Sequence, residues 1–85
     1  MEWDVTEVSV LSDTTLFVRF RDGVEGTVEF ANSFFQGVFE PIKEPNEFKK
    51  VMLVDGVVTW EGELDLAPDA MHEAIQKNGV CRLSL

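Results

Sequence analysis

The sequence has few of the residues that often mark a catalytic function. It contains one cysteine, one histidine and seven lysines or arginines among its 85 residues. The single cysteine, Cys81, excludes a disulfide within the chain and is typical of a reducing compartment. The lone histidine, His72, has no serine or cysteine in a predictable relation to it, so no nucleophile and base are indicated. We therefore expect a protein that is not an enzyme.

Basic residues and long apolar runs are also scarce. Sixteen acids against seven bases give a net charge of −9, which repels phosphate backbones and argues against direct nucleic-acid binding. No apolar run reaches the roughly 18 residues of a membrane span, and residues 1–4 lack the basic and apolar segments of a signal peptide. No acidic segment has the spacing of an EF-hand. We expect a cytoplasmic protein without a cofactor or metal.

Large apolar side chains are well represented. The hydrophobic fraction is 45%, and seven phenylalanines and two tryptophans supply much apolar area for a short chain. This length allows one core, so residues 1–85 are predicted to form a single domain.

Alternating apolar residues predict two N-terminal strands. The first covers residues 3–11, with either a bulge or a late start of the strand where the alternation breaks between Val5 and Val8. The second covers residues 16–20 and leads into Asp22-Gly23, a strong hairpin signal.

The register of this first hairpin follows from polarity. A two-residue turn would place Phe20 opposite Glu25, and so put acids on the apolar face. A three-residue loop over 21–23 instead places Phe20 opposite Val24 and Arg19 opposite Glu25. The three-residue loop is therefore predicted.

The middle of the chain predicts short helical turns. Large apolar residues recur at helical spacing over 34–39, after Asn32-Ser33, which can cap a helix. Asn46 is a candidate cap for a second turn over 47–50. We expect the phenylalanines of 34–39 to pack in the core, with an exposed aromatic patch as the alternative.

A second hairpin is predicted from two apolar runs, 51–54 and 57–60, around the turn Asp55-Gly56. Both runs are apolar on both faces, so we expect this hairpin to lie centrally with each face at least partly covered. Its polarity fits either register, which leaves the register open.

The C-terminal part predicts a helix over 66–77 and a final edge strand over 80–85. Pro68 suits the first turn of the helix, either Asp65 or Ala67 can cap it, and Asn78-Gly79 ends it. The predicted apolar face of the helix consists of Ala70, Met71, Ala74 and Ile75. The predicted fold class is α+β: a small antiparallel sheet of two hairpins and an N-terminal strand, with one C-terminal helix and short helical turns.

Three segments in this order resemble a bacterial family of small proteins, domain of unknown function 2442. They are Phe20-Arg21-Asp22-Gly23, the stretch from Phe39 through Pro41-Ile42 to Phe48-Lys49-Lys50-Val51, and the stretch from Trp60 to Asp69 with Leu64-Asp65-Leu66-Ala67-Pro68-Asp69. The chain departs from the family pattern at Glu63, where the family has glycine, and at His72, where it often has tyrosine.

The resemblance implies an α+β fold and no established activity. Some members of the family lie beside small toxin-like proteins, as antitoxin partners would. Others carry a C-terminal helix-turn-helix, which makes the domain a sensing or docking module of a regulator.

A stretch of acids without a base is the candidate binding site. Alternation along an extended segment would point Glu61, Glu63 and Asp65 in one direction, and Asp69 and Glu73 follow on the helix. Trp60 precedes them, either as a core residue or as an anchor at the rim of an interface. The alternatives are a solvated edge strand without a partner and a weak divalent-cation site.

The leading functional hypothesis is a non-enzymatic, antitoxin-like or regulatory interaction module. It would bind a basic protein partner through Trp60, Glu61, Glu63, Asp65, Asp69 and Glu73. The competing hypothesis is a small-molecule-binding or enzymatic domain, which requires a concave pocket with convergent polar groups. A third hypothesis is a homodimer formed through the edge strand 80–85. Cys81, at an alternating strand position, is expected to be a small buried side chain.

Overall fold

The computed structural model describes residues 3–62 and 64–84. The strands within these residues are β1 Val5–Ser12, β2 Thr15–Phe20, β3 Glu25–Phe30, β4 Met52–Val54, β5 Val57–Trp60, β6 Leu64–Asp65 and β7 Val80–Leu83. The helices are α1 Pro45–Phe48 and α2 Pro68–Asn78, with 3-10 helices at Asn32–Phe34 and Gly37–Lys43. The strands form two sheets, ordered β1-β2-β3-β7 and β4-β5-β6. The α+β prediction is confirmed, with the two hairpins in separate sheets.

The three-residue loop predicted for the first hairpin is confirmed. Leu16 lies opposite Val28, and the N–H of Phe20 donates to the carbonyl of Val24 at 2.8 Å. Gly23 takes the left-handed conformation that this loop requires, with φ of +93°. The register keeps the apolar side chains of both strands on the buried face.

The bulge at the start of β1, one of the two predicted alternatives, is also confirmed. The pairing of β1 with β2 shifts register between Val5 and Glu7. Arg19 lies opposite Glu25, as expected, and its guanidinium pairs with Glu25 at 3.2 Å and with Glu7 at 3.0 Å. One exposed arginine on β2 therefore links this strand to both of its neighbours, β1 and β3.

The connecting segment forms the predicted short helical turns, but the predicted caps are wrong. Asn32 lies within the first 3-10 helix, which has no side-chain cap. The cap of α1 is Glu44, whose Oε1 accepts a hydrogen bond from the N–H of Asn46 at 3.2 Å. Pro45 explains the difference, since a proline at the first helical position makes the preceding residue the cap.

An aromatic cluster joins this segment to both sheets. The ring centroid of Phe30 lies within 6.1 Å of the centroids of four other buried aromatic rings. These rings belong to Phe34, Phe35, Phe48 and Trp60. The core interpretation of the phenylalanines is therefore the one observed, with Phe39 half-buried against Phe34.

The second hairpin has a two-residue turn, which resolves its register. Val54 pairs with Val57, and Asp55 and Gly56 both have positive φ, +51° and +80°. The expectation that this hairpin lies centrally is wrong for β4, whose Met52 is 43% and Val54 50% exposed. This strand lies at the edge of a three-stranded sheet, and only the inner face of that sheet packs on the core.

Helix α2 begins two residues later than predicted and ends where expected. Its cap is Ala67 and not Asp65, because the proline that follows Ala67 takes the first helical position. Gly79 ends it with φ of +77°, and Met71 is buried as predicted. Ala70 is exposed, so its placement on the apolar face was wrong. Half-buried His72 flanks the buried Met71 and Ile75 on the other side of the helix, about 200° around the axis from Ala70.

The predicted final strand is confirmed as β7, an edge strand over Val80–Leu83. It pairs with β3 in parallel, and Cys81 lies opposite Val28. Cys81 is 5% exposed, in agreement with the expected small buried side chain. The buried residues of both sheets and both α-helices form one core cluster.

Candidate docking surface

The acidic stretch of the sequence does not form one extended strand. Trp60 pairs with Leu64, so the chain turns back between them, with Gly62 at φ of +90°. Glu61 is exposed in this turn, and Glu63 lies outside the described residues. The prediction of a one-sided row of carboxylates is therefore wrong, because a left-handed glycine ends β5 before the alternation can continue.

Trp60 is part of the core. Its side chain is 3% exposed, and its indole Nε1 donates to the carbonyl of Phe48 at 2.9 Å. The two rings lie 5.9 Å apart, centroid to centroid. Of the two interpretations offered by the sequence, the core residue is the one observed, so the indole is not an anchor at the rim of an interface.

The remaining acids of the stretch are divided between β6 and α2. Asp65 is exposed on β6, where its Oδ1 accepts a hydrogen bond from Thr59 Oγ1 at 2.5 Å. Asp69 and Glu73 are exposed one turn apart on α2, as predicted. Glu73 also reaches Lys77, with a distance of 3.8 Å between Oε1 and Nζ.

The outer face of the β4-β5-β6 sheet carries an open groove that the sequence did not indicate. We call it the outer groove; its volume is about 440 Å³. It is lined by Met52, Val54, Asp55, Val57, Thr59 and Asp65. Cross-strand pairs explain this lining, since Met52 pairs with Thr59, Val54 with Val57, and Thr59 with Asp65. Directly paired residues share one face of a sheet.

The sequence signal for this groove is the apolar character of both faces of the second hairpin. The runs 51–54 and 57–60 are apolar on both faces, a pattern typical of a covered hairpin. In the structure Val58 is fully buried on the inner face, whereas its β4 partner Leu53 is 36% exposed and Met52 and Val54 are exposed on the outer face. Exposed apolar side chains grouped on one strand are typical of an interaction surface.

The acids on the strands of the first sheet pair with arginines, whereas those around the second sheet do not. On the first sheet, Glu7 and Glu25 pair with Arg19, and Glu29 pairs with Arg82. On the second sheet and at the start of α2, four acids have no ion-pair partner among the described residues. They are Asp55, Glu61, Asp65 and Asp69. Among the described residues, the second sheet with its connections and the start of α2 therefore carry acids that no ion pair neutralises.

Among the described residues, two groups have displaced pKa values, and neither lines the outer groove. Hydrogen bonds from His72 and from the N–H of Val24 lower the pKa of Asp22, with His72 the larger cause. Burial raises the pKa of the Cys81 thiol.

A second, smaller cavity of about 240 Å³ lies at the edge of the first sheet, lined by residues that include Thr14, Glu29 and Arg82. Its two charged groups, Glu29 and Arg82, form an ion pair of 3.3 Å. Within residues 3–62 and 64–84, no three histidine, cysteine or acidic side chains are grouped as metal ligands. No helix in the same part of the chain is long and apolar enough to cross a membrane.

A comparison with models of protein families identifies the family to which the chain belongs. The model described as "Protein of unknown function (DUF2442)" matches residues 5–77 of the 85-residue chain. The chain belongs to this family. The match covers both hairpins and almost all of α2, so the outer groove lies within the DUF2442 segment. No curated protein and no solved structure matches the chain.

Proposed function

We propose that this DUF2442 domain is a non-enzymatic interaction module that binds a basic protein partner. The observation that carries the proposal is the group of four acids without ion-pair partners in the second sheet, its connections and the start of α2, together with the apolar side chains that β4 exposes. A basic partner would neutralise them, and the net charge of −9 would favour its approach. The antitoxin-like or regulatory role rests on the resemblance described above.

The proposed binding surface keeps most of the predicted residues. Glu61, Asp65, Asp69 and Glu73 are exposed and remain in it, and Glu63 stays a prediction because it lies outside the described residues. Trp60 is removed from it, since its side chain is buried.

The competing hypothesis, a small-molecule-binding or enzymatic domain, has less support. Catalytic sites bring together polar groups with displaced pKa values in a concave pocket. Here Asp22 and Cys81, whose pKa values are displaced, lie outside both cavities. The outer groove is an open, largely apolar face, which suits another protein better than a substrate.

Affinity capture with the whole chain as bait, at low and at high salt, tests the proposal. We expect a basic protein to be retained from the source cell lysate at low salt and released at high salt, because exposed charge pairs are screened. The variant Glu61→Lys/Asp69→Lys should not retain this basic protein, because both changes place positive charge on the proposed surface.

The matched control is Asp13→Lys/Glu40→Lys, which changes the net charge equally. Asp13 and Glu40 are also exposed and without an ion-pair partner among the described residues, but they lie outside the proposed surface. If both variants lose the partner equally, the attraction comes from net charge alone and the surface is wrong. If the unmodified chain retains no basic protein, the function is wrong.

A further inference from the structure

The outer groove has an apolar floor whose polar groups are already satisfied. Thr59 is 9% exposed, and its hydroxyl donates to Oδ1 of Asp65, with the carbonyl of Trp60 as an alternative acceptor at 3.2 Å. Met52 and Val54 stand exposed along one side of the floor. The floor therefore offers mainly apolar contact, because the proton of its one hydroxyl is already donated within the protein.

Acids occupy the polar positions of the groove. Asp55 lies in the β4–β5 turn, and Asp65 lies on β6 at the opposite side of the sheet. The bond from Thr59 orients the Asp65 carboxylate beside the floor. Both acids lack an ion-pair partner among the described residues. An occupant that covered the floor without a base would leave two carboxylates partly desolvated and unpaired, which is unfavourable.

This combination selects among possible occupants. A second copy of the chain would bring another net charge of −9 and the same two carboxylates against the groove. An uncharged apolar segment would cover the floor but pair neither acid. A segment with apolar side chains flanked by lysine or arginine satisfies both requirements.

We propose that the outer groove binds a cationic amphipathic segment of a partner protein. Its apolar side chains would pack on Met52, Val54 and Val57, and its bases would pair with Asp55 and Asp65. This inference rests on the proposed function, because it names the part of the basic partner that is recognised and the residues that recognise it.

Selection from a library of random displayed peptides against the whole chain tests this inference without knowledge of the partner. We expect enriched peptides to combine lysine or arginine with apolar residues. Their affinity should fall about tenfold or more for Met52→Thr/Val54→Thr, which removes apolar contact but keeps residues suited to a strand. The control, Leu11→Thr/Val38→Thr, removes apolar residues that are 58% and 71% exposed elsewhere, and should bind normally.

A second pair of changes tests the charges. Asp55→Asn/Asp65→Asn keeps the size of both side chains, and asparagine tolerates the positive φ of the turn. We expect this variant to bind the enriched peptides several-fold more weakly, with a smaller dependence on salt. Melting temperatures of all variants, compared with that of the unmodified chain, establish that they are folded.

Three results would overturn the inference. One is a selection that enriches no peptide, or peptides without bases. Another is binding that the Met52→Thr/Val54→Thr variant does not weaken. The third is a chain that dimerises in light scattering and that this variant makes monomeric, since a second copy would then occupy the groove.

The two proposals fail in different ways. If the groove variants retain the captured basic protein while Glu61→Lys/Asp69→Lys loses it, the proposed function stands and the groove is not the site. If no basic protein is captured and no basic peptide is enriched, both proposals are wrong.

Discussion

The Nε2 atom of His72 lies 2.7 Å from Oδ2 of Asp22, and this contact joins α2 to the loop of the first hairpin. The imidazole also meets the ring of Phe20 edge-on, with the centroids 5.0 Å apart. The other oxygen of Asp22 accepts a hydrogen bond from the N–H of Val24 at 3.0 Å. Both bonds favour the ionised carboxylate and hold the pKa of Asp22 below its ordinary value of 3.8.

Replacing His72 with phenylalanine should raise the pKa of Asp22. The substitution His72→Phe keeps a ring against Phe20 and removes the hydrogen bond to the carboxylate. We expect the pKa to rise towards 3.8 but to stay below it, because the bond from Val24 remains. An NMR titration of the Asp22 carboxyl carbon measures this change. An unchanged midpoint would mean that His72 does not stabilise the charged form.

The same contact makes stability depend on acid pH. Because the pKa of Asp22 is lower in the folded state, its contribution is complete above the unfolded value near 3.8. The contribution is lost as the pH falls through the folded pKa. We therefore expect Asp22→Asn to be less stable than the unmodified chain at pH 6, with a difference that shrinks below about pH 3.8. Urea unfolding at a series of pH values checks this, and a constant difference would contradict it.

Gly26 allows the end of α2 to approach β3. A Cβ atom at this position would lie 2.7 Å from Cγ2 of Ile75 and would overlap the carbonyl oxygen of Gly79. Since a backbone oxygen cannot move aside easily, Gly26→Ala should lower the free energy of unfolding by about 1–3 kcal/mol. Urea unfolding measures the loss. The neighbouring substitution Thr27→Ala is the control and should cost less than about 1 kcal/mol; equal losses would remove the close-approach argument.

The two tryptophans should respond very differently to substitution. Trp60→Phe removes the indole bond to the buried carbonyl of Phe48 and leaves a small cavity, so we expect a loss of about 2–4 kcal/mol. Trp3 is 39% exposed, and Trp3→Phe should change the stability by less than about 0.5 kcal/mol. Chemical unfolding of both variants tests this. A stable Trp60→Phe variant would return Trp60 to the candidate interface.

The sequence predicted the first hairpin in detail because only one register was consistent with its polarity. A shift by one residue would have placed Glu25 opposite Phe20. The second hairpin gave no such test, because both of its faces are apolar. Its register and its exposed outer face are therefore seen only in the structure, where β4 is the edge of a three-stranded sheet.

The candidate site was predicted less well for a related reason. The charges of Asp65 and Asp69 were visible in the sequence, but their arrangement depends on one glycine, Gly62, which reverses the chain after β5. The pairing of β7 with β3 joins residues more than fifty positions apart, and local periodicity carries no information about such a contact. The outer groove combines both effects, since it contains residues from three strands.

The homodimer hypothesis concerns the free edge of β7. The carbonyls of Gly79 and Leu83 accept hydrogen bonds from β3, so by alternation along the strand the N–H of Arg82 points away from the sheet. Arg82 is exposed and pairs with Glu29 at 3.3 Å, and a charged side chain discourages pairing at an edge. Because each copy also carries a charge of −9, we expect a monomer of 9.6 kDa in light scattering.

Truncation at Gly79 is a poor test of this expectation, because it removes the buried side chain of Cys81 together with the edge. Arg82→Pro keeps Cys81 and removes the outward N–H that a second copy would need together with the charge of Arg82, whereas Arg82→Ala removes the same charge but keeps that N–H. If light scattering gave twice the monomer mass for the unmodified chain and for Arg82→Ala, but not for Arg82→Pro, β7 would be a dimer interface. If all three chains had the monomer mass, β7 would not be a dimer interface, and the charge of Arg82 would not be needed to keep copies apart.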